Sequence, residues 1–295
     1  MTAIAPNIRM ASDTLLDDLI AGLAVRPVDH APASDAYRLL KPRVATAIAP
    51  RFSSPEPVAE PLPPFEEIVF PYVAMGNIDT LDLFGLDELI LFAFYWRNRE
   101  RYRNVVDFGA NLGLHSLVMQ RCGFAVRAFE PDPNHLELLR ATLSRNDCAN
   151  VTVHPAAVST ADGSHDFTRV LGNTTGSHLT GAKAAPYGGL ESITVDVVNA
   201  LPHMAWADLV KMDIEGHEAE VLCATDAELW QDTDAVVEVG TKENAARIFE
   251  HFEALSVSLY AQKTGWRRVA TLADMPTSHR DGSLFISSKD DMPWV

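Results

Sequence analysis

The sequence predicts an α/β fold, a mostly parallel sheet with helices on both faces, preceded by a helical N-terminal appendage. Three observations carry this. From Asn104 onward, apolar strand-like runs alternate with amphipathic helical segments. The first of these strands runs into a glycine-bearing turn, VVDFGANLG (Val105 to Gly113), where a helix begins. Ahead of both lies PRFSSPEPVAEPLPPF (Pro50 to Phe65), whose six prolines mark an extended linker.

Residues 12 to 25 read as a short amphipathic helix, capped by Ser12 or Asp13, with Leu15, Leu16, Leu19 and Leu23 as its apolar stripe. A second helical stretch, Ala36 to Ala49, is interrupted by Pro42. The linker sets a boundary between an appendage, residues 1–64, and a main domain, residues 65–295. EEIVFPYVAMG is strand-like, and Gly85 to Arg101 carries Leu86, Leu89, Ile90, Ala93 and Phe94 on one helical face. RNVVDFG and NLGLHSLVMQR then form a strand and its helix, and FAVRAFE with PDPNHLELLRATLSRND repeat the pair. VTVHPAAV, ADLVKMDI and TDAVVEVG are further strands. GWRRVA and SLFISS are expected to close the sheet edge as an antiparallel hairpin. Leu171 to Leu190, LGNTTGSHLTGAKAAPYGGL, is a long polar loop suited to a lid or a substrate wall. Asn173, Ser177 and His178 offer it hydrogen bonds, and Tyr187 a stacking face.

Composition narrows the function. A formal net charge of −16 repels polyanions, which argues against nucleic acid or an acidic membrane as partner. The local exception, YWRNRERYR, places four arginines where a helix C-terminus is expected, and cations suit that end of the dipole. Three separated cysteines, Cys122, Cys148 and Cys223, give neither a disulfide framework nor a zinc spacing. The N-terminal residues lack a basic-then-apolar leader pattern, and LILFAFYW is too short to span a bilayer. The cytoplasm is therefore the expected location.

The glycine turn carries the chemistry. Gly109 allows a tight turn, and Gly113 would let a ligand approach the helix start. A nicotinamide-type G-x-G-x-x-G is broken, because Asn111 and Leu114 occupy two of its positions. Asp107 would repel a pyrophosphate but suits an ammonium or a hydroxyl donor. S-adenosylmethionine offers both and carries no phosphate. Glu130, at the end of the next strand, is placed to accept from both hydroxyls of a ribose. Asp132 caps the following helix, with Pro133 in its first turn.

VVDFGANLGLHS, AFEPDP, NVTVHPAAVS and DLVKMDIEGHEAEVL, in that order, resemble the FkbM family of S-adenosylmethionine-dependent methyltransferases. The resemblance spans roughly Asn104 to Ser287 and leaves out the appendage. It implies a class I, Rossmann-like methyltransferase domain that acts on a hydroxyl oxygen and releases S-adenosylhomocysteine. By position, Asp107, Gly109, Asn111 and Gly113 would line the methionine and ribose parts of the cofactor. Glu130 would hold the ribose, with Asp132 beside it, and Ala156 and Ala157 would lie near the adenine. His115 is placed either to touch cofactor or substrate or to serve as a polar helix-start residue.

An alcohol acceptor needs a positioned base or an acidifying metal. The candidates fall in KMDIEGHEAE (Lys211 to Glu220) and VVEVG. Asp213 and Glu238 end neighbouring strands, and His217 occupies the turn after the first. Glu215 and Glu218 flank it, Glu218 as a dipole-stabilising acid. Two strand-end carboxylates could share a magnesium ion or divide the work of base and substrate anchor, and no metal is assigned. Acceptors implied by the resemblance are hydroxyls of sugars, glycolipids or secondary metabolites. Two other readings stay open: a cofactor-binding scaffold without activity and a nicotinamide-dependent oxidoreductase. The appendage suits a docking or homo-oligomerisation arm.

Overall fold

In the computed structural model the structure describes residues 18–183 and 188–294. The predicted helix at 12–25 is helical over residues 18–23, while Ser12, Asp13, Leu15 and Leu16 lie outside the described residues, as does Tyr187. Among the described residues no helix is long and apolar enough to cross a membrane.

Helix α1 (Asp35–Phe52) runs through both Pro42 and Pro50, with the Ser34 hydroxyl accepting from the Tyr37 N–H at its start. The predicted interruption at Pro42 therefore does not occur. An internal proline costs about 3 kcal/mol, and burial of Val44, Ala47, Ile48 and Phe52 along one side offsets it. Nor is the proline-rich stretch a free linker. Its first residues end α1, and β1 (Ala59–Pro61) pairs antiparallel with β2 (Glu67–Val69). Both are edge strands, where a missing N–H is tolerated. Helix α2 (Leu86–Arg97) follows.

The central sheet starts with β3 (Asn104–Phe108), helix α3 (Leu114–Arg121), β4 (Ala125–Phe129), helix α4 (Pro133–Arg145) and β5 (Val151–His154). The predicted strand VTVHPAAV breaks at Pro155, and its second half, β6 (Ala157–Ser159), joins a separate sheet. That sheet adds β7 (Gly163–Val170), β8 (His178–Leu179) and β9 (Leu190–Asn199), in the order β6-β9-β7-β8. The chain returns to the central sheet through α5 (Leu201–Met204), β10 (Leu209–Met212), α6 (Glu218–Leu222), β11 (Asp234–Val237), α7 (Lys242–Leu255) and β12 (Ser258–Ala261). It ends with β13 (Arg267–Arg268) and β14 (Leu284–Ser287).

The eight-stranded order is β13-β12-β14-β11-β10-β3-β4-β5. Strands β5, β4, β3, β10 and β11 are mutually parallel, while β14 lies antiparallel between β11 and β12. SLFISS thus inserts between two strands, and GWRRVA pairs with β12, so the expected terminal hairpin does not form. This is the class I, Rossmann-like arrangement. Strand order reverses between β3 and β10, and ligands of such sheets bind beyond the carboxyl ends at that point.

Alternation along each strand assigns the two faces. Val105, Leu209 and Val236 face a core shared with α1 to α4, while Val106, Val210 and Val237 face one built with α5 to α7. Leu19, Val44, Ile48 and Phe52 belong to the first core. The N-terminal segment therefore turns its apolar side onto the sheet's own helices. Phe52 is 1% exposed and stacks on Phe84 with ring centroids 4.0 Å apart. Replacing it with alanine should lower the unfolding free energy of the whole chain by about 3–5 kcal/mol in one transition. A denaturant titration showing two transitions, with only the first displaced, would mean that the segment folds apart from the sheet.

Candidate active site

Asp107 and Lys211 are register partners on β3 and β10, and alternation points both to the first-core face. Lys211 Nζ lies 3.4 Å from Asp107 Oδ1 and donates to the Gly109 carbonyl at 3.0 Å. It also sits 4.0 Å from Asp213 Oδ2. Burial works against this ammonium, but Asp107 first, then Asp213 and Glu88, hold its pKa above the ordinary lysine value. The other Asp107 oxygen accepts from Ser116 Oγ at 2.6 Å.

Above this pair the chain turns at Gly109, with φ +78, and at Asn111, with φ 50. A Cβ at Gly109 would run into the Asp213 carbonyl oxygen, so only glycine allows β10 to come this close. The turn and the strand ends border a cavity of about 710 Å³. Gly109, Asn111, Glu130, Asp132, Ala156 and Ala157 line one part of it, and Asp213, His217 and Glu238 another.

Asp107, Gly113 and His115 do not border the cavity. Asp107 is 0% exposed, because the pleat turns it beneath the turn toward Lys211. Gly113, with φ +86, faces Leu139 of α4, whose side chain fills the space expected for a ligand. His115 lies behind Glu88. Its Nε2 is 2.8 Å from Glu88 Oε2 and its Nδ1 is 3.0 Å from Tyr95 Oη.

Glu130 is held by two backbone donors, the N–H groups of Asn111 and Asp132, each at 2.8 Å. Burial nevertheless raises its pKa to about 8. Asp132 reaches the cavity wall with its carboxylate engaged by the Asn134 N–H and by Arg169. Of the buried oxygens without partners among the described residues, two belong to residues lining the cavity, Asn111 Oδ1 and Asp213 Oδ1. Acceptors without donors, beside a carboxylate and two alanines, fit a ligand rich in hydroxyl and ammonium groups better than a pyrophosphate.

The turn after β10 is braced from within. Glu218 accepts from the N–H groups of Ile214 and Gly216, and Asn244 of α7 donates to the Gly216 carbonyl. His217 meets Ser159 Oγ at 3.0 Å, and burial lowers its pKa, so the imidazole is neutral near pH 7. Burial, then Asp213, raises the pKa of Glu215, which pairs with Lys183. Burial, then Asp213, raises that of Glu238 well above the carboxylate range. Among the described residues no three His, Cys, Asp or Glu side chains are grouped to hold a metal ion.

Several wall residues were not among the sequence candidates. Lys41 of α1, Asp87 and Glu88 of α2, and His279 and Ser283 near the C-terminus all reach the cavity. Local sequence carries no signal for them, because they arrive from elements packed on the sheet. The polar loop contributes Asn173 and Ser177 to the wall, while His178 is buried with Nδ1 3.0 Å from the Gly176 carbonyl. It docks on the segment before α2, with Asn77 N–H donating to Gly172 and Thr174 N–H to Met75.

None of the curated proteins matches this chain in sequence. Among solved structures it is similar to a precorrin-6y C5,15-methyltransferase from Geobacter metallireducens, at 16% identity and a TM-score of 0.37, covering 66% of this chain and 84% of that one. It is also similar to a SAM-dependent methyltransferase from Agrobacterium tumefaciens, at 9% identity and a TM-score of 0.42, covering 81% and 72%. An O-methyltransferase from Bacillus cereus in complex with SAH shares 11% identity, with a TM-score of 0.36 and coverage of 66% and 79%. The family described as the methyltransferase FkbM domain matches residues 107–260, more than half of the 295. With this match over the glycine turn, the Glu130 strand end and the braced turn after β10, the chain belongs to the FkbM methyltransferase family.

Proposed function

We propose that the chain transfers a methyl group from S-adenosylmethionine to a hydroxyl of a sugar, glycolipid or secondary metabolite. The observation that carries this is the single cavity joining Glu130 and the Gly109 turn to the strand-end carboxylates Asp213 and Glu238. The bound cofactor supplies an electrophilic methyl on a sulfonium. Glu130 receives the ribose hydroxyls, and Asn111 Oδ1 offers a further acceptor. Ala156 and Ala157 leave room for a flat base. At the other end Asp213 Oδ1 would take the proton of the acceptor hydroxyl as its oxygen bonds to the methyl carbon, whose bond to sulfur breaks to leave S-adenosylhomocysteine. Lys211 holds that carboxylate in place through Oδ2. Glu238, protonated by its surroundings, donates a hydrogen bond to the acceptor, and neutral His217 anchors a neighbouring hydroxyl. Helix α1 acts with the main domain by closing one side of the cavity through Lys41.

A hydroxyl-rich acceptor suits these side chains, which offer hydrogen bonds rather than a thiol-specific or aromatic slot. The nicotinamide reading loses ground because the turn presents unpaired acceptors where a pyrophosphate needs donors.

Calorimetric titration with S-adenosylhomocysteine should give micromolar binding that weakens about 10–100-fold in Glu130→Ala, the value of a hydrogen bond to a charged group. No binding to the folded wild type would remove the cofactor assignment. The ribose hydroxyls donate to an ionised Glu130, whose pKa in the free protein is about 8. Binding should therefore tighten as pH rises toward 8, by no more than about tenfold per unit, and level off above it. A profile that is flat, or that falls over this range, would count against the contact. With labelled methyl groups and a metabolite extract, Asp213→Asn should slow transfer about 10²–10⁴-fold while leaving S-adenosylhomocysteine affinity nearly unchanged. Equal transfer by mutant and wild type would move the base elsewhere, and transfer by neither to any acceptor would favour a non-catalytic scaffold.

A further inference from the structure

The acid expected to meet a donor ammonium, Asp107, is buried and committed to Ser116 and Lys211. A different carboxylate stands at the cavity on the same face of the sheet. Glu88 lies in the first turn of α2, outside the residues that the family match covers. It borders the cavity together with Gly109, Lys211 and Asp213.

A relay of three side chains holds it. Tyr95 is 0% exposed, and burial first, then Asp107 and Glu88, push its pKa up, so the phenol keeps its proton. Its hydroxyl shares a hydrogen bond with His115 Nδ1 at 3.0 Å. An ionised carboxylate only accepts, so His115 Nε2 donates to Glu88 Oε2 at 2.8 Å. Phe92 packs edge-on against the imidazole with centroids 5.1 Å apart, which fixes the ring plane. Glu88 Oε1 has no hydrogen-bond partner among the described residues.

The charges around Glu88 favour a cation. Lys211 is matched by Asp107 and by the Gly109 carbonyl, so Glu88 and Asp213 remain with excess negative charge. Burial, then Asp213, raise the pKa of Glu238, another acid facing Glu88, and favour its neutral form. Burial disfavours the ionised Glu88, but the bond and charge of His115, with Lys211, keep its pKa below the ordinary value. A carboxylate kept ionised is a weak base and a strong partner for a fixed ammonium.

We infer that Glu88 receives the ammonium of the donor's methionine, with His115 and Tyr95 as its positioning residues. This rests on S-adenosylmethionine being the donor. The segment before the family domain then completes the cofactor site, and the Tyr95–His115–Glu88 relay replaces the motif acid that the sheet has buried.

The test uses calorimetry with S-adenosylhomocysteine, its deamino analogue and methylthioadenosine, which keeps the nucleoside but has no amino acid. Wild type should bind S-adenosylhomocysteine about tenfold or more tightly than the deamino analogue. Glu88→Gln should lose about tenfold for S-adenosylhomocysteine and less than about twofold for methylthioadenosine. His115→Ala should show the same ligand-selective loss, smaller in size, which a merely structural defect would spread over both ligands. An unchanged S-adenosylhomocysteine affinity in Glu88→Gln overturns the assignment, and so does equal loss of both ligands. If that variant does not fold, equal wild-type affinity for S-adenosylhomocysteine and its deamino analogue overturns it. Wild type binding none of the three instead removes the donor reading itself.

Discussion

The buried ammonium of Lys211 organises this molecule's functional end. Two parallel strands place Asp107 and Lys211 side by side, and the lysine reaches up to the Gly109 carbonyl. A charge taken out of water is tolerated only when matched and hydrogen-bonded. The match here consists of a carboxylate on one strand, a carbonyl in the turn above it and a second carboxylate at its own strand end. One side chain thereby ties the glycine turn to the turn after β10. The close approach of Gly109 to the Asp213 carbonyl is the steric side of the same bond.

Around that fixed point, environment sorts the acids. Glu130 is shielded from water and supported by two backbone donors. Glu218 is consumed by the turn it braces, and Glu215 is paired with Lys183 of the polar loop. Glu238 is driven toward its neutral form by burial and by Asp213, while Glu88 is kept ionised by His115. Carboxylates that look alike in sequence thus differ in charge and in free lone pairs. Such separation allows one cavity to hold a cation, accept a proton and donate a hydrogen bond.

Helix α1 also reaches the cavity wall, through Lys41. Helix α1 joins the first core through Val44, Ile48 and Phe52, and Tyr37 donates to Asp87 of α2 at 2.6 Å. Gln262, after β12, donates to the other oxygen of Asp87 at 2.8 Å. Segments far apart in sequence therefore hold the N-terminal end of α2, where Glu88 and Asp87 reach the cavity.

The alternation of strands and helices after Asn104 was legible without any structure, because period-2 and period-3.6 apolar patterns are local properties of a chain. So were the glycine turn and the acid at the end of β4, since each follows a strand directly. The paths of Pro42 and of SLFISS were not legible. A proline's local penalty is visible in sequence, but the burial that outweighs it along α1 is not, and an antiparallel insertion between β11 and β12 depends on partners far away in the chain. Among the site residues, sequence placed Glu130, Asp213, His217 and Glu238 near one strand-end crevice. Only the tertiary structure decided that Asp107 and Gly113 face protein, that His115 stands behind Glu88 and that Glu88 enters the cavity at all. The reason is that sequence sets which residues end a strand, whereas the pleat, the register and the neighbouring helices set which way each side chain points and what it meets.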